Sequence, residues 1–241
     1  MNLGGFLLIN KPAGVLSYSV VRRVKSILQR QLNSSNAKVG HGGTLDAFAD
    51  GLLIVGIGPA CKHLTAILKG SKRYAVVGQL GTETDTLDPA GTITNMNSFD
   101  HIDRERVIET LPKFVGEILQ TPPLYSAIKI GGQRASDRIR RGEAIAIQCR
   151  PVTVYNLQLT GFRPPVFSLD IHCSSGFYVR SLVRDLAQAL GSCAHATALT
   201  RTQNGPFSLA DSRVIQWDDL SPESLMKCLV PFEQTKQIIT R

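Results

Sequence analysis

Residues 41–53 read HGGTLDAFADGLL: glycines and small residues carry two acids, Asp46 and Asp50, and then run into an apolar stretch. That stretch, Leu52 to Ile57, is strand-sized and far short of the ~18 residues a membrane helix needs. A lone aspartate beside Gly and Thr reads first as a turn or N-cap residue. It is also ionised at neutral pH, since its reference pKa is about 3.9, and an ionised carboxylate can act as a nucleophile or a base. The stretch by itself leaves both readings of Asp46 open.

Working outward, Gly5 to Ile9 is a short apolar run that stops at the turn Asn10-Lys11-Pro12-Ala13-Gly14. From Ser17, read as an N-cap, Val20, Val21, Val24, Ile27, Leu28 and Leu32 recur at helical spacing. Arg22, Arg23, Lys25 and Arg30 fall elsewhere on that helix, so its wet face is basic, either solvated or turned to phosphates. After a polar loop and the opening stretch, a helix is expected over Ala60 to Lys69, closed by Gly70, and a strand over Lys72 to Leu80. A turn at Asp88 to Gly91 precedes a helix over Asp103 to Lys113. The Pro-rich segment Gln120 to Pro123 then leads to a basic run, Arg134, Arg138, Arg140 and Arg141. Val152 to Thr160 and Val166 to Cys173 alternate as half-buried strands, with Leu169 and Ile171 inward. Tyr178 to Leu190 is the clearest helix and Gly191 ends it; from about Asp211 the chain reads as helical and peripheral. This order gives an α+β class with a largely antiparallel mixed sheet.

Composition narrows the function. With 241 residues, 43% of them hydrophobic, the chain can bury one large core or two modest ones. A net charge of +8 fits a polyanionic partner such as nucleic acid, or serves solubility alone. The N-terminus shows no signal-peptide pattern, so a cytoplasmic protein is expected. Five scattered cysteines without a C-x-x-C pair indicate neither disulfides nor a zinc cluster. His41, His63, His101, His172 and His195 form no H-E-x-x-H pattern, and no metal is expected. Phosphate-loop signatures and a G-x-S-x-G nucleophile are likewise absent, which leaves a carboxylate to carry chemistry.

The stretch Gly40 to Leu53, GHGGTLDAFADGLL, resembles the GH-x-G-T-L-D-P-x-A-x-G-L-L motif of the TruB family of tRNA pseudouridine synthases. Other blocks follow in that family's order: Lys11-Pro12-x-Gly14-x-x-Ser17, then Lys72-Arg73-Tyr74 with the Leu80 to Gly91 segment. Next come Gln120-x-Pro122-Pro123-x-Tyr125-Ser126-Ala127-x-Lys129, Arg150 to Tyr155, and Cys173-Ser174-x-Gly176-x-Tyr178-x-Arg180 through Leu186. The resemblance implies the pseudouridine synthase fold over residues 1–210, with an RNA-clamping insertion at about 121–150 and a helical tail over 211–241 that is no full PUA domain. It implies Asp46 as the nucleophile, Tyr74 against the flipped base and Arg180 as the arginine paired with the catalytic carboxylate. His41 is implied beside the flipped nucleotide and Leu199 as lining of the base pocket. RNA contacts are assigned to Lys11, Pro12, Gly43, Thr44, Ser126, Lys129, Tyr178 and Arg201. The implied substrate is the T-stem-loop of tRNA, modified at uridine 55 by a monomer without cofactor or membrane.

Those residue types suit the chemistry. The reaction breaks N1–C1′, turns the uracil and joins C5 to C1′. A carboxylate can attack C1′ or remove a ribose proton, and an adjacent guanidinium favours its charged form. Reaching a stacked base costs a few kcal/mol, which contacts to phosphate must offset. The motif departs from the family at Ala47, where proline is common, at Asp50, where a small residue is usual, and at Ser136, where a tyrosine is common. Asp50 adds a charge that raises the pKa of Asp46 where the two lie close. A non-catalytic RNA-binding or tRNA-folding protein on the same scaffold is the alternative.

Overall fold

A computed structural model of the chain describes residues 4–30 and 38–239, with side chains to residue 235. Leu32 and the polar loop expected after it lie outside the described residues. The chain opens with β1 (Gly5–Lys11), α1 (Ser17–Arg30), β2 (Val39–His41), β3 (Asp50–Ile57), α2 (Leu64–Lys69) and β4 (Lys72–Leu80). A hairpin of β5 (Thr82–Thr84) and β6 (Ile93–Met96) follows, then α3 (Arg104–Thr110), β7 (Gly116–Gln120), the small hairpin β8 (Lys129–Ile130) and β9 (Gln133–Arg134), and α4 (Ala135–Arg140). The long pair β10 (Arg150–Arg163) and β11 (Val166–Cys173) leads to α5 (Val179–Ala189) and β12 (Ala194–Asn204). The described chain ends with β13 (Phe207–Ser208), β14 (Val214–Gln216), α6 (Pro222–Cys228), β15 (Val230–Pro231) and α7 (Phe232–Ile239). The fold is α+β, as the spacing predicts, and the chain divides into two compact units: Met1–Tyr74 with Leu199–Arg241, and Ala75–Ala198.

In the first unit β1 and β3 form an antiparallel pair from Gly5 opposite Ile57 to Lys11 opposite Gly51. Their apolar residues follow one another without alternation because both faces are covered. Leu7, Ile9, Leu53 and Val55 pack on Val20, Val24, Ile27 and Leu28 of α1. Phe6, Leu8, Leu52 and Ile54 pack on the other face with Ile67, Phe207 and Val230. β3 takes β2 antiparallel on its free edge and the end of β12 in parallel, Thr200 against Asp50 and Arg201 against Gly51. No described helix is long and apolar enough to cross a membrane.

The C-terminal segment differs from the peripheral tail expected of it. β14 pairs in parallel and β15 antiparallel with β1, and Ile215, Leu220, Leu225 and Val230 are buried. Strands of two or three residues are too short to show a period, and their partner is some 200 residues away in sequence. Two smaller expectations also shift. Ser17 is the first buried residue of α1 and no cap, and Ala60 to Lys69 splits into a 3-10 turn, Gly58–His63, followed by α2.

In the second unit the strand order is β4, β11, β10, β7. β10 and β11 are antiparallel across Leu157 opposite Ile171 and Leu159 opposite Leu169, and Leu169 and Ile171 are fully buried as their alternation requires. Asp103 caps α3 by accepting the Arg106 amide at 2.8 Å. α5 buries Val179, Leu182, Val183 and Leu186 along one face.

The buried tail makes a stability prediction. Leu225→Ala should cost about 2–5 kcal/mol of unfolding free energy, while Met226→Ala beside it, on the exposed side, should stay within about 0.5 kcal/mol. Denaturant unfolding of the two variants measures both, and equal small losses would return the segment to the periphery.

Candidate active site

The loop between β2 and β3 holds Asp46, and side chains from three other elements hold its backbone. Asn204 donates through Nδ2 to Gly42 O at 3.0 Å. Arg201 donates through Nη2 to Gly43 O at 3.1 Å, through Nη1 to Thr44 O at 3.3 Å and through Nε to Leu52 O at 2.8 Å. The Ser17 hydroxyl donates to Leu45 O at 3.0 Å and accepts the Leu45 amide at 2.9 Å. Lys11 Nζ donates to the carbonyls of Pro12 at 2.9 Å, Val15 at 2.8 Å, Ala47 at 3.5 Å and Ala49. The Gly14 amide adds a bond to Ala47 O at 2.7 Å, and the Ala49 amide closes the turn on Asp46 O at 3.2 Å. Lys11, Ser17, Arg201 and Asn204 are all essentially buried.

Glycine is required at two points here. Gly43 has φ +122°, a region L side chains rarely adopt. Gly51 has φ +99°, and a Cβ there would meet the Arg201 carbonyl oxygen at 2.5 Å. The close parallel pairing of β3 with β12 depends on that missing side chain.

Within this frame Asp46 is half-buried. Burial pushes the Lys11 ammonium down to about 8, against the opposing charges of Asp50 and Asp46, with Arg201 lowering it further. Asp50, the unexpected acid of the motif, thus acts on Lys11 from the first position of β3. Burial, and then Arg201, holds the His41 imidazole below its usual range against a hydrogen bond to the Gly43 backbone, so it is neutral at pH 7; its Nδ1 is buried with no hydrogen-bond partner found among the described residues. Tyr74 is buried and its side chain hydrogen-bonds Arg201. Leu199 is buried, Pro12 half-buried and Thr44 exposed. Lys11 and Arg201 do not fit the RNA contacts expected of them: both lie inside the unit with their donors spent on backbone carbonyls.

In the second unit Arg180 is 4% exposed. It donates to Thr86 O at 2.6 Å and Tyr125 O at 3.1 Å, and pairs with Asp88 at 3.4 Å. Tyr178, half-buried ahead of α5, lies under the Arg150 guanidinium at 5.1 Å. Its backbone is gripped at both N–H and C=O by the buried Gln120 amide, at 2.8 and 3.0 Å. Ser126 is buried and its hydroxyl has no hydrogen-bond partner among the described residues. Lys129 and Arg134 are exposed. The arginine run is partly neutralised: Arg138 and Arg141 share Glu143 at 2.6 and 2.7 Å, and Arg140 faces Asp137 at 3.5 Å. Ser17, Gln120 and Asp88 stand in the blocks quoted above, but nothing in those blocks gives their partners, Leu45, Tyr178 and Arg180, and Asn204 stands outside the blocks altogether. Among the described residues, no group of three His, Cys, Asp or Glu side chains is arranged to hold a metal.

The lowered Lys11 pKa makes the stability of the fold depend on pH. Between about pH 8 and 10.5 the unfolded chain holds this proton and the folded chain does not, so this residue makes unfolding free energy rise with pH across that window. Denaturant midpoints at pH 8, 9 and 10 should therefore climb in the parent relative to Lys11→Met. Parallel curves for the two proteins would contradict the buried placement.

Comparisons with known proteins agree with this architecture. The N-terminal domain model of the TruB family of pseudouridylate synthases matches residues 28–179, and the C-terminal domain model of tRNA pseudouridylate synthase B matches residues 180–235. Pseudouridylate synthase TRUB1 of Mus musculus is 44% identical, over 98% of this chain and 74% of that protein. tRNA pseudouridine synthase B of Treponema pallidum (strain Nichols) is 40% identical, over 86% of this chain and 62% of that protein. Among solved structures, a chain in a Cbf5-Nop10-Gar1 complex superposes with a TM-score of 0.71 at 28% identity, over 95% of this chain and 60% of that one. A chain in an H/ACA RNP bound to a substrate RNA containing 2′-deoxyuridine gives 0.69 at 25% identity, again over 95% and 60%. The present chain thus spans about 60% of the length of those solved chains. With family models covering residues 28 to 235 and relatives above 40% identity across nearly its whole length, the chain belongs to the TruB family of tRNA pseudouridine synthases.

Proposed function

We propose that the chain isomerises uridine 55 in the T-loop of tRNA to pseudouridine, with Asp46 as the nucleophilic carboxylate and no cofactor. On the attack route the Asp46 carboxylate bonds C1′ as the N1–C1′ bond breaks, the uracil turns, and C5 displaces the carboxylate as it bonds C1′; C5 then gives up its proton and N1 gains one, so atoms and charge balance and Asp46 is returned. Attack at C1′ and abstraction of a ribose proton both require an ionised carboxylate on a fixed aim. One observation carries the reading. Asp46 is half-exposed at the tip of a loop whose carbonyls from Gly42 to Ala47, and again at Ala49, are each hydrogen-bonded.

The other roles belong to the same proposal. Tyr74 and Leu199 present an aromatic and an aliphatic surface to the turned base and keep water from the detached sugar. His41, held neutral, contacts the nucleotide without adding a charge. Arg180 enters as a catalytic residue by resemblance, and Gln120 and Arg150 fix the backbone and ring of Tyr178. The Ser126 hydroxyl, without a partner among the described residues, is left to bind RNA. Lys129 and Arg134 supply phosphate contacts, with Arg138, Arg140 and Arg141 discounted by their acids. Lys11 is assigned to holding the loop.

Two measurements test this. Incubated with an unmodified T-stem-loop, the parent should convert uridine 55 to pseudouridine, read by carbodiimide chemistry, and Asp46→Asn should lose roughly 10³-fold or more in turnover while still binding. Tight binding by both without product would favour the RNA-binding alternative. RNA affinity should also fall steeply with salt, and removing Lys129 or Arg134 should flatten the log–log slope by about 0.7 each. A slope unchanged by both substitutions would remove the insertion from the interface.

A further inference from the structure

Arg201 is built unlike a surface RNA-binding arginine. Its backbone is locked against Gly51, where no side chain fits, and the residue as a whole is 1% exposed. Three of its nitrogens donate to the carbonyls of Gly43, Thr44 and Leu52, at 3.1, 3.3 and 2.8 Å. Gly43 and Thr44 precede Asp46 in the loop, and Leu52 follows it at the start of β3. The same guanidinium hydrogen-bonds the Tyr74 side chain and feels the charge of Asp46. A guanidinium has donors and no acceptor, so the phenolic oxygen of Tyr74 must accept this bond, and its own O–H is directed to another acceptor.

We propose that Arg201 is a positioning residue of the isomerisation: one planar cation fixes the aim of Asp46 through the loop carbonyls and sets the orientation of the Tyr74 hydroxyl. A point cation on a flexible stem cannot span that set of acceptors, so the planar fork is what the site needs. Burying such a charge is costly unless every nitrogen is bonded, and here the acceptors are those of the catalytic loop and its tyrosine. Displacing the loop by as little as an ångström would therefore reach the chemistry without touching the RNA.

The inference rests on the assignment of Asp46 and Tyr74 above, and the test separates the two. Under single turnover on a T-stem-loop, Arg201→Lys should lower the maximal rate about 10- to 100-fold with RNA affinity changed less than about threefold. Added to Tyr74→Phe, the same substitution should cost clearly less than it does alone, because its partner is already gone. An unchanged maximal rate, a loss confined to affinity or to melting temperature, or losses that multiply in full would each overturn the inference. Turnover retained by Asp46→Asn would fail the catalytic assignment itself. Loss there with the parental rate in Arg201→Lys would fail only the role given to Arg201.

Discussion

The structure of the first unit depends on hydrogen bonds that buried side chains send upward into the backbone of Gly42 to Ala49. A loop of glycines and small residues has little side-chain mass with which to hold itself, and an unsupported loop would let Asp46 wander. Here Lys11, Ser17, Arg201 and Asn204 take the place of a core beneath it. Burying an ammonium and a guanidinium is unfavourable by several kcal/mol each unless their donors are met, and the loop carbonyls meet them. The two needs are complementary: the cations require acceptors, and the loop requires donors. β1 and β3, covered on both faces, form the rigid base from which those side chains project.

This arrangement bears on each of the motif's departures. A proline after Asp46 would stiffen the loop through φ, yet Ala47 is already fixed from both sides by the Gly14 amide and Lys11. Asp50 looks like a rival charge beside Asp46 in a linear reading. In the fold its charge acts on Lys11 and helps keep that buried ammonium protonated. Ser136 donates its amide to Ser126 O at 3.2 Å, so the insertion retains a tie to the Tyr-Ser block even without an aromatic ring at this position.

Much of this was legible in the amino-acid order. Helical spacing located α1 and α5, alternation located β10 and β11, and the apolar run after Asp46 located β3. The blocks placed Asp46, Tyr74 and Arg180 among the candidates. Position alone does not tell whether a basic residue faces solvent or carbonyls, so Lys11 and Arg201 read as RNA contacts when both are interior. Nor does it show that β14 and β15 close the far side of β1, because strands of two or three residues carry no periodicity. The basic run over Arg134 to Arg141 looked like a uniform patch; Glu143 and Asp137 temper it, and only spatial proximity shows that.

The Asp46 loop is held in place by the protein itself before any ligand arrives, and amide hydrogen exchange on the free protein tests this most directly. The amides of Gly42, Leu45 and Ala49 are bonded to Ile54 O, Ser17 Oγ and Asp46 O. They should exchange with protection above about 10³, together with the amides of β1 and β3 that open only with the unit as a whole. Exchange of those three amides at the rate of an open surface loop, while β1 and β3 stay protected, would contradict it.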